Sequence, residues 1–146
     1  MSVDAGHDSY PDDLIRSVLT SVESIAVVGA SPNPARPSHG VTKFLVDKGF
    51  EVVAVNPGHA GKTIAGAPVV ASLADLPRPV DMVDVFRRSE HLGGVIDEAL
   101  TLPDRPKVVW SQLGVRDDAA AARAEAAGVT VIQDRCPAIE MPRLGL

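Results

Sequence analysis

The sequence predicts an α/β fold: a doubly wound sheet of five parallel strands in the order 3-2-1-4-5, with one extra helix at the N-terminus. Three observations carry this expectation. Short aliphatic runs alternate with stretches of helical period. The runs are apolar at nearly every position rather than every second one, as strands covered on both faces require. The first strand, its loop and helix, and the second strand fit within about thirty residues, the size of a parallel crossover unit. At 146 residues, 45% of them hydrophobic, the chain suits one ordinary domain with a full core.

Residues 1–11 mix Asp, Gly, Ser and Pro without an apolar period and read as a flexible tail, leaving 12–146 as the single domain. Over 12–23, Leu14, Ile15, Val18, Leu19 and Val22 recur at helical spacing behind Asp12 and Asp13, an amphipathic helix with acids in its first turn. SIAVVG (24–29) is the first strand, ended by glycine. A proline-rich loop leads to a helix over 41–47, stopped by Gly49. EVVAV (51–55) is the second strand and runs into Asn56 and Pro57. Between Gly58 and Pro79 the pattern weakens to a short extended segment, IAGAPVV, and one helical turn, SLADL. Strands three to five fall at 80–86, 107–110 and 129–132, separated by helices at 89–101 and 117–127; the alanine-rich run 119–127 favours the second of these helices.

Charge narrows the function. Lys and Arg number 14 against 19 Asp and Glu, a net charge of −5. Residues 1–23 hold Asp4, Asp8, Asp12, Asp13 and Glu23 against Arg16, so the rest of the chain is nearly neutral. Binders of nucleic acid or anionic membranes need many cations, and this chain lacks them. An aromatic content of 3% also leaves little for a base-stacking platform. The lone Cys136 excludes an intramolecular disulfide framework and a cysteine zinc cluster, and His7, His39, His59 and His91 are not at metal-ligand spacing. No apolar run approaches the roughly 18 residues of a membrane span, and the N-terminus is acidic where a signal peptide is basic. The expectation is a cytoplasmic protein without a nucleic-acid, membrane or metal partner.

Ligands of open α/β sheets lie beyond the carboxyl ends of the strands where strand order reverses, here expected around strands one and four. After the first strand, Gly29 permits a tight turn, Ala30 and Ser31 let backbone N–H groups approach a phosphate, Arg36 supplies a cation, and Ser38 is placed to cap the next helix. This is an anion cradle without the dinucleotide fingerprint. G-x-G-x-x-G is absent, and the second strand ends in Asn56 and Pro57 where an NAD site puts an acid for the ribose. The third strand ends in Phe86, Arg87 and Arg88, and the fourth in Trp110, Ser111, Gln112, Leu113 and Gly114. Cations, apolar surface and an amide on one rim suit a long ligand that is anionic at one end. Cys136 follows the fifth strand, and with no G-x-S-x-G elbow or base beside Ser31 there is no complete catalytic set.

Five blocks, IAVVGASPNPARPSHGV (25–41), VVAVNP (52–57), VDMVDVFRR (80–88), VVWSQLG (108–114) and DRCPAIE (134–140), stand in this order. In them the chain resembles the small stand-alone CoA-binding proteins of the Rossmann-like CoA-binding domain family, the YccU-like group. More distantly it is similar to the CoA-binding domain of the succinyl-CoA synthetase α-subunit. The resemblance implies CoA laid along the strand ends, with Gly29, Ala30 and Ser31 near the pyrophosphate and Arg36 or Lys43 on the phosphates. Asn56 and Pro57 would border the nucleotide, Phe86, Arg87 and Arg88 the middle, and Trp110, Gln112 and Gly114 the pantetheine arm. Cys136 belongs to the last block as a further contact, followed by Pro137 where the family usually has an aliphatic residue. The expected function is binding of CoA or an acyl-CoA without catalysis. The alternatives are a CoA- or nucleotide-dependent enzyme or subunit using Cys136, a mixed disulfide of Cys136 with CoA, an NAD-binding protein, or a CoA sensor that engages a partner through its acidic N-terminal segment.

Overall fold

The aliphatic runs form one sheet. In the computed structural model, which describes residues 7–146, its strands are β1 (Ser24–Val28), β2 (Glu51–Val55), β3 (Thr63–Ile64), β4 (Ala67–Val70), β5 (Met82–Val85), β6 (Val108–Ser111) and β7 (Thr130–Ile132). The helices are α1 (Asp12–Ser21), α2 (Pro37–Asp47), α3 (Ser89–Leu100), α4 (Asp118–Ala126) and α5 (Pro137–Arg143). Across the sheet the order is β3-β4-β2-β1-β5-β6-β7. All neighbours pair in parallel except β3, which runs antiparallel to β4.

The α/β, doubly wound class is as expected, while the strand count and order differ. The sheet has seven strands rather than five. The weakly patterned segment folds into a hairpin whose two turn residues, Ala65 and Gly66, both have positive φ, 49° and 91°. That places Val69 and Val70 beside Ala54 and Val55. β4 therefore takes the position beyond β2. The strand expected there, β5, pairs instead with β1, Ile25 opposite Met82 and Val28 opposite Val85. The reversal of strand order lies between β1 and β5, not between the first and fourth strands of the sequence reading.

The alternation of the strands divides the core in two. Ile25, Val27, Val52, Ala54, Met82, Val108 and Trp110 face α1, α2 and α5. Ala26, Val28, Val55, Val83, Val85 and Val109 face α3 and α4. Both faces are covered, which is why the strand sequences show no polar alternation. Each fully buried large aliphatic side chain contributes about 1.5–3 kcal/mol.

Two further expectations are corrected. Part of the presumed tail is fixed: the Tyr10 hydroxyl lies 2.7 Å from His7 Nδ1 and accepts from the Gln133 N–H at 2.8 Å, and Asp8 pairs with Arg116 at 2.9 Å. These contacts tie residues 7–10 to the domain, while residues 1–6 of the expected tail lie outside the described residues. The chain also ends in α5, begun by Pro137 at its first position; the sequence reading placed no helix there. Among the described residues no helix is long and apolar enough to cross a membrane.

Candidate ligand-binding site

β1 ends by turning tightly beneath its neighbour. Gly29 has φ +83°, and a Cβ there would run into the Phe86 carbonyl oxygen and stand 2.9 Å from its carbon. Glycine is thus required twice, by the backbone angle and by the close approach. The Gly29 N–H donates to Val55 O at 3.2 Å and the Phe86 N–H to Val28 O at 2.8 Å, joining the ends of β2, β1 and β5. The loop beyond braces itself: Ser31 N–H donates to Ser38 Oγ at 3.1 Å, Asn33 N–H to Ser31 Oγ at 3.1 Å, and Ala35 N–H to Asn33 Oδ1 at 3.0 Å. Asn56 clamps this loop to the end of β2, its Nδ2 donating to Ala30 O at 2.8 Å while its Oδ1 accepts from Gly58 N–H at 2.8 Å.

Ser38 is consequently a brace and not the helix cap expected from sequence. Pro37 occupies the first position of α2 and Arg36 its cap position, with no side-chain cap bond, so Ser38 already lies inside the first turn. The Ser31 N–H expected to approach a phosphate is held by Ser38.

A cleft of about 980 Å³ opens along this rim, the upper size range of small-molecule sites. It runs from Ala71 and Ser72 after β4, past Asn56 and Pro57 after β2, across residues 29–31 after β1 and 86–89 after β5, to 112–115 after β6. Five adjacent strands at a spacing of about 4.8 Å make this trough roughly 19 Å long. Both α2 and α3 begin at it, bringing the positive ends of their dipoles to the cleft. Arg36, Arg87 and Arg88 line it as well. Arg88 pairs with Glu90 at 3.0 Å, whereas Arg36 and Arg87 have no carboxylate partner among the described residues. The aliphatic stem of Arg87 lies across Gly29. An acidic chain therefore gathers cations around one cleft, with Glu98 the acid on its wall.

The β6 end has a different character. Leu113 is 58% exposed and, with Val115 and Phe86, lends apolar surface. Gly114, at φ +79°, donates its N–H to Asp134 Oδ1 at 2.6 Å. Ser89 Oγ donates to Gly114 O at 3.2 Å and accepts from Arg116 N–H at 2.9 Å, fixing this loop to the start of α3. Cys136 precedes α5 and is buried. Burial pushes its thiol up, against the opposing pull of the Ala138 and Ile139 N–H groups. Asp84 in β5 is fully buried, and Gln112 Nε2 donates to its Oδ1 at 2.9 Å while its Oδ2 has no partner. Burial raises its carboxyl to about 7, the Gln112 bond opposing the shift.

Of the residues singled out in the sequence, Gly29, Ala30, Ser31, Arg36, Ser38, Asn56, Pro57, Phe86, Arg87, Arg88, Gln112, Gly114 and Cys136 meet at the cleft. Trp110 and Lys43 do not line it. Strand alternation turns Trp110 into the core beside α5, where it is fully buried and donates from Nε1 to Arg135 O at 2.9 Å. Lys43 sits on the outer flank of α2, paired with Asp47 at 2.9 Å. The sequence reading passed over Asp84, although an acid inside the aliphatic run VDMVDVF is a signal: a strand buried on both faces has no solvent side for it.

Residues 23–142 match the family described as CoA binding domain (CoA_binding_2). The chain belongs to this CoA-binding domain family. Among its relatives it is 42% identical over 122 residues to the uncharacterized protein YneT of Bacillus subtilis (strain 168), covering 84% of this chain and 87% of that protein. It is similar in structure to cell-free ID.343 from Thermus thermophilus, with a TM-score of 0.85 and 40% identity over 92% of this chain and 99% of the other. It is also similar to a hypothetical protein from Pyrococcus horikoshii OT3, with a TM-score of 0.86 and 31% identity over 100% and 97% of the two chains. The region matched to the family contains all five sequence blocks and every cleft residue named above.

Proposed function

We propose that the protein binds CoA or an acyl-CoA in the rim cleft and performs no chemistry on it. The observation that carries this reading is the polarity of the trough. Its middle gathers two helix N-termini and guanidinium groups beside a glycine-lined turn, and its β6 end offers Leu113, Val115, Phe86 and the Gln112 amide. A ligand with several phosphates at one end and an amide-bearing, weakly polar arm at the other matches both parts. Gly29 and Ala30 would lie against the pyrophosphate and Arg36 and Arg87 on the phosphates. Phe86, Leu113 and Gln112 would flank the arm, with Cys136 near its end.

The same geometry disfavours a nicotinamide dinucleotide. Where such sites present a carboxylate to the ribose, this chain has Asn56, whose amide is spent clamping Ala30 and Gly58. Catalysis through Cys136 is disfavoured too, because burial holds the thiol in its protonated, weakly nucleophilic form. Isothermal titration against CoA, dephospho-CoA and NAD tests the reading. CoA is expected to bind most tightly; heat with NAD and none with CoA would overturn it.

A further inference from the structure

Resting on the reading of the cleft as a CoA site, we propose that Asp84 is a positioning residue for the pantetheine arm: by holding Gln112 through its side-chain N–H, it turns the Gln112 carbonyl toward the cleft as an acceptor for a donor on the arm. Asp84 lies in the middle of the sheet, in register between Val27 of β1 and Trp110 of β6. Packing does not account for it. A buried carboxyl with one hydrogen bond and one bare oxygen is costly, and an aliphatic residue would fill the place without that cost.

What Asp84 does supply is orientation. A side-chain amide has two nearly isosteric faces, one donating and one accepting. A carboxylate only accepts, so it selects the Gln112 side-chain N–H and leaves Gln112 Oε1, to which no described residue donates, for the cleft that Gln112 lines. The complement of that oxygen is a donor such as the amide N–H groups of pantetheine. A protonated Asp84 can donate and hold either face of the amide, so the ionised form is the one that fixes the arm's acceptor.

The other titratable groups packed on this face of the sheet include Cys136, which senses both Asp84 and Glu140, Glu140 itself, paired with Arg143 at 2.8 Å, and Tyr10, whose hydroxyl accepts from the Gln133 N–H. α1 and α2 meet the face with apolar side chains such as Ile15, Leu19, Val41 and Leu45, and Lys43 and Asp47 of α2 are turned to solvent.

The test compares wild type, Asp84→Leu and Asp84→Asn by calorimetric titration with CoA and with 3′-phospho-ADP, the nucleotide half without the arm. Asp84→Leu is expected to weaken CoA about five- to tenfold and to leave 3′-phospho-ADP within about twofold. Asp84→Asn, which like the protonated acid can hold either face of the Gln112 amide, recovers only part of the loss. Between about pH 5.5 and 8.5 the ratio of CoA to 3′-phospho-ADP affinity rises in wild type relative to the same ratio in Asp84→Asn; dividing by the Asp84→Asn ratio cancels the titration of the ligand phosphates, including the terminal phosphate of 3′-phospho-ADP that is esterified in CoA. Equal losses for both ligands in Asp84→Leu, or none, overturn the proposal. If Asp84→Leu does not fold, the pH series decides, and a wild-type ratio that follows the Asp84→Asn ratio at every pH overturns it. A wild type that binds neither ligand fails at the CoA reading itself and removes this inference with it.

Discussion

Gly29 and Asp84 are the two residues whose chemistry departs furthest from their surroundings, and each has a measurable signature. Gly29→Ala meets both a left-handed backbone angle and the Phe86 carbonyl. The angle alone costs roughly 1–2 kcal/mol, and the backbone cannot yield without separating β1 from β5. A loss of at least about 2 kcal/mol is expected in urea unfolding, and an unchanged midpoint contradicts the geometry. For Asp84 the sign follows from linkage. Its carboxyl titrates near 7 when folded, above its ordinary value of 3.8. The stability carried by the neutral form is therefore complete below about pH 4 and is lost as pH rises toward 7. Asp84→Asn should gain on wild type across that window, by up to roughly 4 kcal/mol, and hold a constant difference above it. Thermal melts from acid to neutral pH check this, and a constant difference throughout would show that the carboxyl is not perturbed.

At the scale of elements, the cleft depends on where α2 and α3 start. Arg36 sits at the cap position of one and Arg88, next to Arg87, at that of the other, so the cations reinforce the helix ends toward the ligand even though they oppose the helix dipoles. Arg36→Ala and Arg87→Ala should each weaken CoA by about 1–3 kcal/mol, whereas Lys43→Ala, which loses only an exposed pair with Asp47, should leave it unchanged. Equal effects of all three in a titration would indicate diffuse charge in place of specific contacts. The short aliphatic strands and the alanine-rich α4 were legible in the sequence because their apolar pattern is strong. The β3–β4 hairpin was not. Its turn needs positive φ at two successive residues, which Asn-Gly or Asp-Gly announces and Ala65-Gly66 does not. Missing β4 displaced the third strand in the expected order. Gly29, Asn56, Phe86 and Gln112 could still be singled out because each directly follows a strand, a position set by the runs themselves and not by strand order. Trp110 was misjudged because its pattern marks the strand end but not which face the side chain takes.

Over the whole molecule, the acidic balance and the cationic cleft coexist because the acids are spread over the chain while Arg36, Arg87 and Arg88 meet at one rim that has Glu98 as its one lining acid among the described residues. The N-terminal segment is part of the domain from His7 onward. Tyr10→Phe removes the partner of the Gln133 N–H in a buried part of the structure, and a loss of about 1–3 kcal/mol is expected in thermal unfolding; no loss would mean that the segment is not held there in solution. The central claim is that CoA lies along the carboxyl ends of β2, β1, β5 and β6, and a crystal structure of the protein with CoA tests it most directly. The account predicts density for the diphosphate against Gly29, Ala30 and Arg36, with the pantetheine arm running past Phe86 to Gln112. CoA bound elsewhere on the molecule, or a rim cleft that remains empty while CoA saturates the protein in solution, would contradict it.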